Sequence, residues 1–230
     1  MRRWVLRGGG ILLAIGGSLV LLWVLAVWRW QDPLTLIVNK RAQSELSSAY
    51  EVRVRERIAP TPRPPAETPR PRPAIKTPSQ FRLAATYRKR TDTGDPIGRL
   101  TVPRLNLEIV VVYGTDRETL KKGPGLHPGT GFPGQKFLTY VAGHRTTYGA
   151  PFSDIDKLQP GDRVTFEVPY GIYRYEVSDH LIVRDDQIEV LKGRGREELA
   201  LQACWPRFFA THRYIAYAKL VSVDRGAAKT

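Results

Sequence analysis

The stretch LALQACWPRFFATHRYIAYAKL, residues 199–220, consists of two strand-like runs joined by a short loop that contains a proline. Cys204, the only cysteine among 230 residues, ends the first run, and Arg213 opens the second run nine residues later. Strands joined by so short a loop tend to pair, so we expect Cys204 and Arg213 to lie within reach of one substrate carbonyl. The alternative is that Cys204 is a small buried apolar residue, which is the commoner role of a free cysteine.

Short runs of the same kind fill the chain from residue 97 to residue 223. Val164 and Phe166 alternate with polar neighbours, and Tyr173 and Tyr175 do the same after a tight turn, as half-buried strands do. Seven or eight such strands with only brief helical segments predict one all-β domain, a barrel or a sandwich. The other candidate strands lie at 97–105, 107–114, 136–144, 180–183, 198–203 and 214–223, and the candidate helices at 116–123 and 151–158.

The first thirty residues follow a different pattern. Between Arg7 and Arg29, 21 residues carry no charge, which is long enough for a helix to span a bilayer. No clean signal-peptidase site follows, so we interpret residues 1–30 as a cytoplasmic tip and an uncleaved transmembrane signal anchor. Arginines before the run favour a cytoplasmic N-terminus. The sequence therefore predicts a single-pass protein of the cell membrane with an extracellular domain.

The anchor and the β-rich domain are separated by two segments of different composition. Residues 31–58 mix charged and apolar residues at loose helical spacing and are predicted as a juxtamembrane segment that can form a helix. Residues 59–96 are predicted as a stalk and linker, because eight prolines interleaved with basic residues at 59–80 favour an extended chain. A docking site for a proline-binding module is the alternative. The catalytic domain is predicted at 97–223, followed by a tail at 224–230.

The formal net charge is +14, and most of the basic excess precedes Gly98. Basic charge in an anchor and a linker suits attraction to anionic lipid or wall polymers. A nucleic-acid-binding protein would concentrate basic and aromatic residues on a folded face, so no nucleic-acid partner is predicted. A single cysteine cannot form an internal disulfide, and an exported domain of this kind must be stabilised by its core.

A cysteine nucleophile needs a base, and histidine is the usual partner. His144 follows an apolar strand and lies in the loop GHRTTYG, where a functional side chain would be accessible. His127 lies in a loop rich in glycine and proline, His180 within a strand-like run, and His212 directly before Arg213. Spacing alone leaves the choice among the four histidines open.

A resemblance to a known family rests on residues 100–168, with AGHR at 142–145, followed by Cys204-Trp-Pro and by Thr-His-Arg ending at Arg213. In this order the motifs resemble the sortases, membrane-anchored cysteine transpeptidases of Gram-positive cell surfaces. The loop HRTTYGAPF is most similar to class E sortases. The resemblance implies an eight-stranded β-barrel with short helices and places His144, Cys204 and Arg213 at the catalytic positions of the family. It implies no metal and no organic cofactor.

The resemblance also implies a reaction. Cys204 would attack the threonine carbonyl of an LPxTG- or LAxTG-like sorting motif, and the resulting thioacyl intermediate would pass to an amine of the cell wall. Arg213 would hold the oxyanion or the substrate backbone, and His144 would exchange protons with the amines. The implied partners are secreted proteins that carry the motif, a peptidoglycan precursor or other amine acceptor, and the lipid bilayer. The alternatives are a pilus-assembling sortase with a lysine acceptor and a catalytically silent binding module.

This chain departs from the family next to the nucleophile. The usual TLxTC is replaced by ALQAC, so that Ala200 and Ala203 stand in place of two threonines. Ala203 and the large Trp205 flank Cys204, and we predict both as substrate-binding residues. Tyr148, four residues after His144, is predicted to help choose the second position of the sorting motif, with a packing role as the alternative.

Overall fold

The computed structural model describes residues 2–30, 33–58 and 79–225. Three helices, α1 (Arg2–Trp30), α2 (Pro33–Ile58) and α3 (Gln80–Lys89), precede the β-rich domain. The proline-rich part of the predicted stalk, at 59–78, and most of the predicted tail lie outside the described residues. No helix within the part of the chain that was described combines the length and apolarity needed to cross a membrane.

Eight strands close into a barrel, which confirms the predicted fold. Their order around the barrel is β1-β2-β3-β4-β7-β8-β6-β5, with parallel pairing only between β2 and β3 and between β4 and β7 among the described strands. One short helix, α4, follows β2 as predicted, and the segment predicted as helical at 151–158 contains a single 3₁₀ turn. The elements are β1 (Pro96–Val102), β2 (Leu107–Tyr113), α4 (Arg117–Lys122), β3 (Gly125–Leu126), β4 (Leu138–Ala142), β5 (Arg163–Val168), β6 (Gly171–Arg184), β7 (Glu198–Trp205) and β8 (His212–Asp224), with 3₁₀ turns at Pro103–Leu105, Ile155–Lys157 and Ile188–Lys192.

The alternation in β5 and β6 builds the barrel interior. Phe166 lies opposite Tyr173 and Val164 lies opposite Tyr175, and all four side chains are buried. Side chains two apart on a strand share one face, so each of these strands turns its apolar set inward. Burying one such side chain stabilises the fold by about 1.5–3 kcal/mol.

Strand β6 is longer than the sequence suggested. We predicted two runs, but β6 is continuous over 14 residues, Gly171–Arg184. Its register against β8 shifts between Val177 and Asp179, so the chain carries an extra residue at Ser178, whose hydroxyl donates to the carbonyl of Tyr217 at 3.3 Å. Such a bulge interrupts the alternation of side chains, which is why the pattern broke at this point.

The packed unit begins before the predicted boundary at residue 97. Helix α3 starts at a cap formed by Ser79, and its Ala84 is fully buried in the core. The hydroxyl of Tyr87 donates to the carbonyls of Pro96 and Ile97 at 3.3 and 3.2 Å. The last part of the segment predicted as stalk and linker is therefore a helix of the domain.

The juxtamembrane segment at 31–58, predicted to be able to form a helix, contains the long helix α2, which packs on the barrel. Leu46 and Tyr50 form a buried cluster with Val110 and Val112 of β2. The Tyr50 hydroxyl also donates to the carbonyl of Glu167 at 3.2 Å. Helix α2 is thus part of the domain rather than a separate juxtamembrane element.

Candidate active site

The pairing of β7 with β8 sets the register of the site. In this antiparallel pair Cys204 lies directly opposite Arg213. The short loop between the strands leads to this arrangement, as the sequence predicted. Gln202 lies two residues before Cys204 and therefore shares its face of the sheet.

Beside this pair lies a cavity of about 300 Å³ on the outer wall of the barrel. Cys204, Arg213 and His144 all line it, and His144 is supplied by the loop that follows β4. Cys204 is a free thiol and half-buried. Much of the remaining wall is apolar and comes from α4, the end of β6 and the segment after β6. These side chains are Leu120, Val183, Ile188, Val190 and Leu191.

The guanidinium of Arg213 is held by its own loop. Its Nη1 donates to the carbonyls of Ala210 and His212 at 2.8 and 3.0 Å. Its Nη2 lies 3.9 Å from a carboxylate oxygen of Asp185, which also lines the cavity. Nη1 therefore fixes the guanidinium, while Nη2 faces the cavity, where a substrate oxygen can compete with Asp185 for this nitrogen.

His144 lies in a loop that leaves the sheet next to β7. The amide of Gly143 donates to the carbonyl of Gln202 at 2.9 Å, which continues the pairing of β4 with β7 up to the histidine. Glycine is required at 143 because a Cβ atom there would lie 2.6 Å from the ring of Phe152. Burial lowers the pKa of His144 below its usual value. The Nε2 atom of His144 is buried and has no hydrogen-bond partner in the described part of the chain.

The residues flanking Cys204, which are predicted to bind substrate, pack against the barrel core. Ala203 is fully buried in the barrel interior, and Trp205 packs against Tyr214 with ring centroids 5.5 Å apart. Neither of them lines the cavity. The reason is the period of two along a strand, which turns the neighbours of an outward-facing Cys204 inward. A threonine hydroxyl at position 203 would likewise point into the interior.

Behind the site, Arg145 connects the histidine loop to the cysteine strand. Its guanidinium lies 4.3 Å from the ring centroid of Trp205 and 2.8 Å from a carboxylate oxygen of Asp156. The side chain is only 2% exposed. Because Arg145 follows His144 and Trp205 follows Cys204, this stack joins the two segments that carry the candidate catalytic side chains.

Tyr148 reaches the site only through His144. Its ring lies 5.1 Å from the ring of His144, centroid to centroid, and it does not line the cavity. Its backbone amide donates to Oγ1 of Thr35 in α2 at 2.9 Å. The loop is therefore in contact with a helix that is more than a hundred residues away in sequence.

Of the other three histidines, only His127 lines the cavity. Its ring packs at 6.4 Å against Tyr140, and burial lowers its pKa. His180 packs against Tyr214 at 5.5 Å. His212 lies opposite Trp205 and contacts the hydroxyl of Thr211.

Sequence reasoning missed several residues that line the cavity. Gln202 could have been found from its spacing of two from Cys204, and Tyr140 from its place on the strand before His144. Ile188 and its neighbours come from an irregular segment without a periodic pattern, so no local signal points to them. No residue of 79–96 lines the cavity. The residues that were described contain no cluster of three or more histidine, cysteine or carboxylate side chains suited to a metal ion.

Comparison with known proteins assigns this barrel to a class. A family model described as a sortase domain matches residues 100–221. Sortase D of Bacillus subtilis (strain 168) is 33% identical over 137 residues, 58% of this chain and 68% of that protein. The structure of sortase E from Streptomyces avermitilis is 33% identical with a TM-score of 0.53, and the match covers 58% of this chain and 92% of that chain.

Another similar structure is sortase E1 from Streptomyces coelicolor with a tripeptide in its active site, at 26% identity and a TM-score of 0.54, covering 57% of this chain and 91% of that one. The chain spans only 42% of the full-length sortase SrtE1 of that organism. Because the family model covers more than half of the chain, this protein belongs to the sortase family, and sortases are transpeptidases.

Proposed function

We propose that this protein is a cysteine transpeptidase that cuts an LPxTG- or LAxTG-like sorting motif between Thr and Gly and joins the surface protein to an amine of the cell wall. The observation that carries the proposal is the register of β7 and β8, which sets Cys204 opposite Arg213 on a cavity that His144 also lines. Membership of the sortase family supports the reaction class.

The reaction has two steps. In the first, Sγ of Cys204 bonds to the threonine carbonyl carbon, and the C–N bond to glycine breaks. His144 takes the thiol proton and passes it to the leaving amine. In the second, the acceptor amine attacks the thioester and gives a proton to His144, which returns it to the departing Cys204 sulfur.

The structure offers physical support for these roles. Because burial lowers the pKa of His144, its imidazole is mainly neutral at neutral pH and can accept a proton. Its unpartnered Nε2 has no competing hydrogen bond within the described residues. The fixed guanidinium of Arg213 donates to the oxyanion or the substrate backbone, where a permanent charge stabilises negative charge without reorganisation.

We further infer that residues 1–30 anchor the protein in the cell membrane, with the N-terminus cytoplasmic and the barrel outside. This rests on the 21 uncharged residues between Arg7 and Arg29 and on the helical course of α1. Throughout residues 9–25 the side chains are exposed, although they are mostly apolar. The partners are then the bilayer, motif-bearing secreted proteins and a peptidoglycan precursor or another amine acceptor.

The sequence preference is proposed to be that of class E. The similarity to sortase E of S. avermitilis and the loop HRTTYGAPF support this. Tyr148 is the proposed specificity residue, and it acts through its ring contact with His144. Substrate contacts by Ala203 and Trp205 stay a prediction; Ala203 is fully buried, and Trp205 is partly buried against the core.

The test is to mix the detergent-solubilised full chain with a panel of Leu-x-x-Thr-Gly peptides and to measure the intact mass. We expect an acyl adduct that disappears when triglycine is added, and no adduct with Cys204→Ala. The chain has no other cysteine, so the adduct can be assigned without mapping. Lysine-containing peptides as acceptors test the pilus-type alternative in the same assay.

The negative outcomes are also informative. If no peptide forms an adduct although a thiol reagent labels Cys204 rapidly, the proposed motif is wrong. If Cys204 neither acylates nor reacts with the reagent in the folded protein, the proposed activity is wrong and the silent binding module is favoured.

A further inference from the structure

Three polar side chains of α2, spaced four residues apart, contact the barrel next to the active site. They are Thr35, Asn39 and Gln43, which we call the α2 clasp. Residues four apart lie on one face of a helix, so the clasp forms a continuous stripe. Thr35 and Asn39 contact the His144 loop and α4, and Gln43 contacts α4 and Val110, beside the hydrophobic part of the interface at Leu46 and Tyr50.

Thr35 contacts a strained part of the histidine loop. Tyr148, Gly149 and Ala150 all have positive φ, at 51°, 72° and 39°. A residue with a side chain is strained in this conformation, so the surroundings must hold the loop in place. Oγ1 of Thr35 accepts the Tyr148 amide at 2.9 Å and thereby supplies one such restraint.

Asn39 joins that loop to another wall of the cavity. It is 6% exposed, and its Nδ2 donates to the carbonyls of Lys121 and Lys122 at the end of α4 at 3.2 and 3.1 Å. It lies so close to Gly149 that a Cβ atom there would be 2.6 Å from its Oδ1. Helix α4 carries Leu120, which lines the cavity, so Asn39 fixes two walls relative to each other.

Gln43 completes the clasp at an open strand edge. Strand β2 pairs with β3 only at Val112 and Tyr113, so the outward backbone groups of Val110 have no strand partner. The Gln43 side chain accepts the Val110 amide at 2.9 Å and donates to its carbonyl at 3.2 Å. Its Nε2 also donates to the carbonyl of Lys122 at 2.7 Å. The amide thus replaces a strand neighbour and ties α2 to α4.

We propose that Thr35 and Asn39 are positioning residues that hold His144 in its working orientation, so that helix α2 is part of the catalytic unit. The path is short: Thr35 fixes the Tyr148 backbone, and the Tyr148 ring packs on the ring of His144. The inference rests on the proposed function, because His144 must exchange protons for its orientation to matter. The inference adds to the proposed function that catalysis requires α2, the helix that directly follows α1 in the sequence.

The experiment compares two substitutions of Thr35 in the full chain. Thr35→Val keeps the shape but removes the acceptor, whereas Thr35→Ser keeps the acceptor. We expect Thr35→Val to lower kcat of peptide transfer about fivefold with KM changed less than about twofold, as losing roughly 1 kcal/mol of positioning would do. Thr35→Ser should restore kcat. The ¹⁵N signals of the His144 ring should shift in Thr35→Val and not in Thr35→Ser.

Asn39→Asp gives an independent measurement, because it is nearly isosteric but cannot donate to the carbonyls of Lys121 and Lys122. We expect a loss of kcat of similar size, while Arg41→Ala on the exposed side of α2 should change neither kcat nor the His144 signals. Melting temperatures within a few degrees of the wild type would exclude simple unfolding. A wild-type kcat and unchanged His144 signals in Thr35→Val would overturn the inference alone. A wild-type chain that forms no acyl adduct would overturn the proposed function and this inference with it.

Discussion

The two segments that supply the candidate catalytic side chains are held by different forces. Cys204 and Arg213 lie on the β7–β8 pair, where a continuous ladder of backbone hydrogen bonds sets their positions. His144 lies in the loop at 143–150, which has only a few backbone hydrogen bonds and is also held by side chains. The strand pair therefore carries its geometry in its own backbone, whereas the loop depends in addition on its own Arg145 and on Thr35 and Asn39 of α2.

This difference predicts how each segment responds to substitution. A side chain replaced on the strand pair leaves the ladder intact, so the expected loss is chemical and stability should change little. A side chain replaced around the loop removes part of what holds the loop, so stability and activity should fall together. Three measurements test this contrast, in decreasing order of expected effect.

The largest effect is expected from Arg213→Lys. Lysine keeps the charge but cannot hold two loop carbonyls and also present a second nitrogen to the substrate, as the guanidinium does. We expect transpeptidation to fall about 10²–10³-fold, as for the loss of an oxyanion donor, with a nearly unchanged melting temperature. Arg184→Lys, at the exposed end of β6, is the matched control and should keep the wild-type rate. A melting temperature that falls by many degrees in Arg213→Lys would break the contrast.

A smaller effect, on stability and activity together, is expected from Arg145→Met. The substitution removes the stack on Trp205 and leaves the Asp156 carboxylate without its partner. We expect the free energy of unfolding to fall by about 1–3 kcal/mol, because Asp156 is partly exposed and regains water. Chemical denaturation measures this change. Lys157→Met, which removes an exposed ion pair to Asp154, should cost less than about 1 kcal/mol. Equal stability of the two variants would show that the stack does not hold the loop.

The smallest effect is expected from pH. Burial lowers the pKa of His144 from its usual value of 6.5, so the folded chain binds fewer protons than the unfolded chain near that pH. The contribution of His144 to stability is therefore present above about pH 6.5 and is lost as pH falls below it. We expect His144→Asn to flatten the decline of the melting temperature between about pH 7 and pH 5. His127→Asn should flatten it separately, because burial lowers that pKa too. An unchanged slope in His144→Asn would contradict the burial of His144.

How far the sequence predicted the fold depended on whether each signal was local. The strands that alternate, such as the one carrying Val164 and Phe166, were found, and so was the proximity of Cys204 to Arg213. The assignment of His144 came from the resemblance to sortases and not from spacing, which left four histidines open. The interior position of Ala203 was missed, although the same alternation would have given it once Cys204 was taken to face outward.

The N-terminal part was predicted least well, for a physical reason. Helix α2 meets the barrel through polar residues in its first half, so its sequence lacks the apolar stripe that marks a packed helix. Helix α3 followed a proline-rich run and was included in the predicted linker. In both cases the partners, side chains as well as backbone groups, lie in strands and loops that are distant in the sequence, so no local pattern points to the contact.

The sequence by itself determined the all-β character of the domain, the pairing that sets Cys204 opposite Arg213, and the helical tendency of the N-terminal segments, because each depends on neighbours within a few residues. The tertiary structure alone decided that His127 and His144 line the cavity, which side chains form its apolar walls, and that α2 contacts the loop of His144. These depend on the closed barrel, in which residues 35, 144 and 204, far apart in the sequence, lie in one region because every strand has its register.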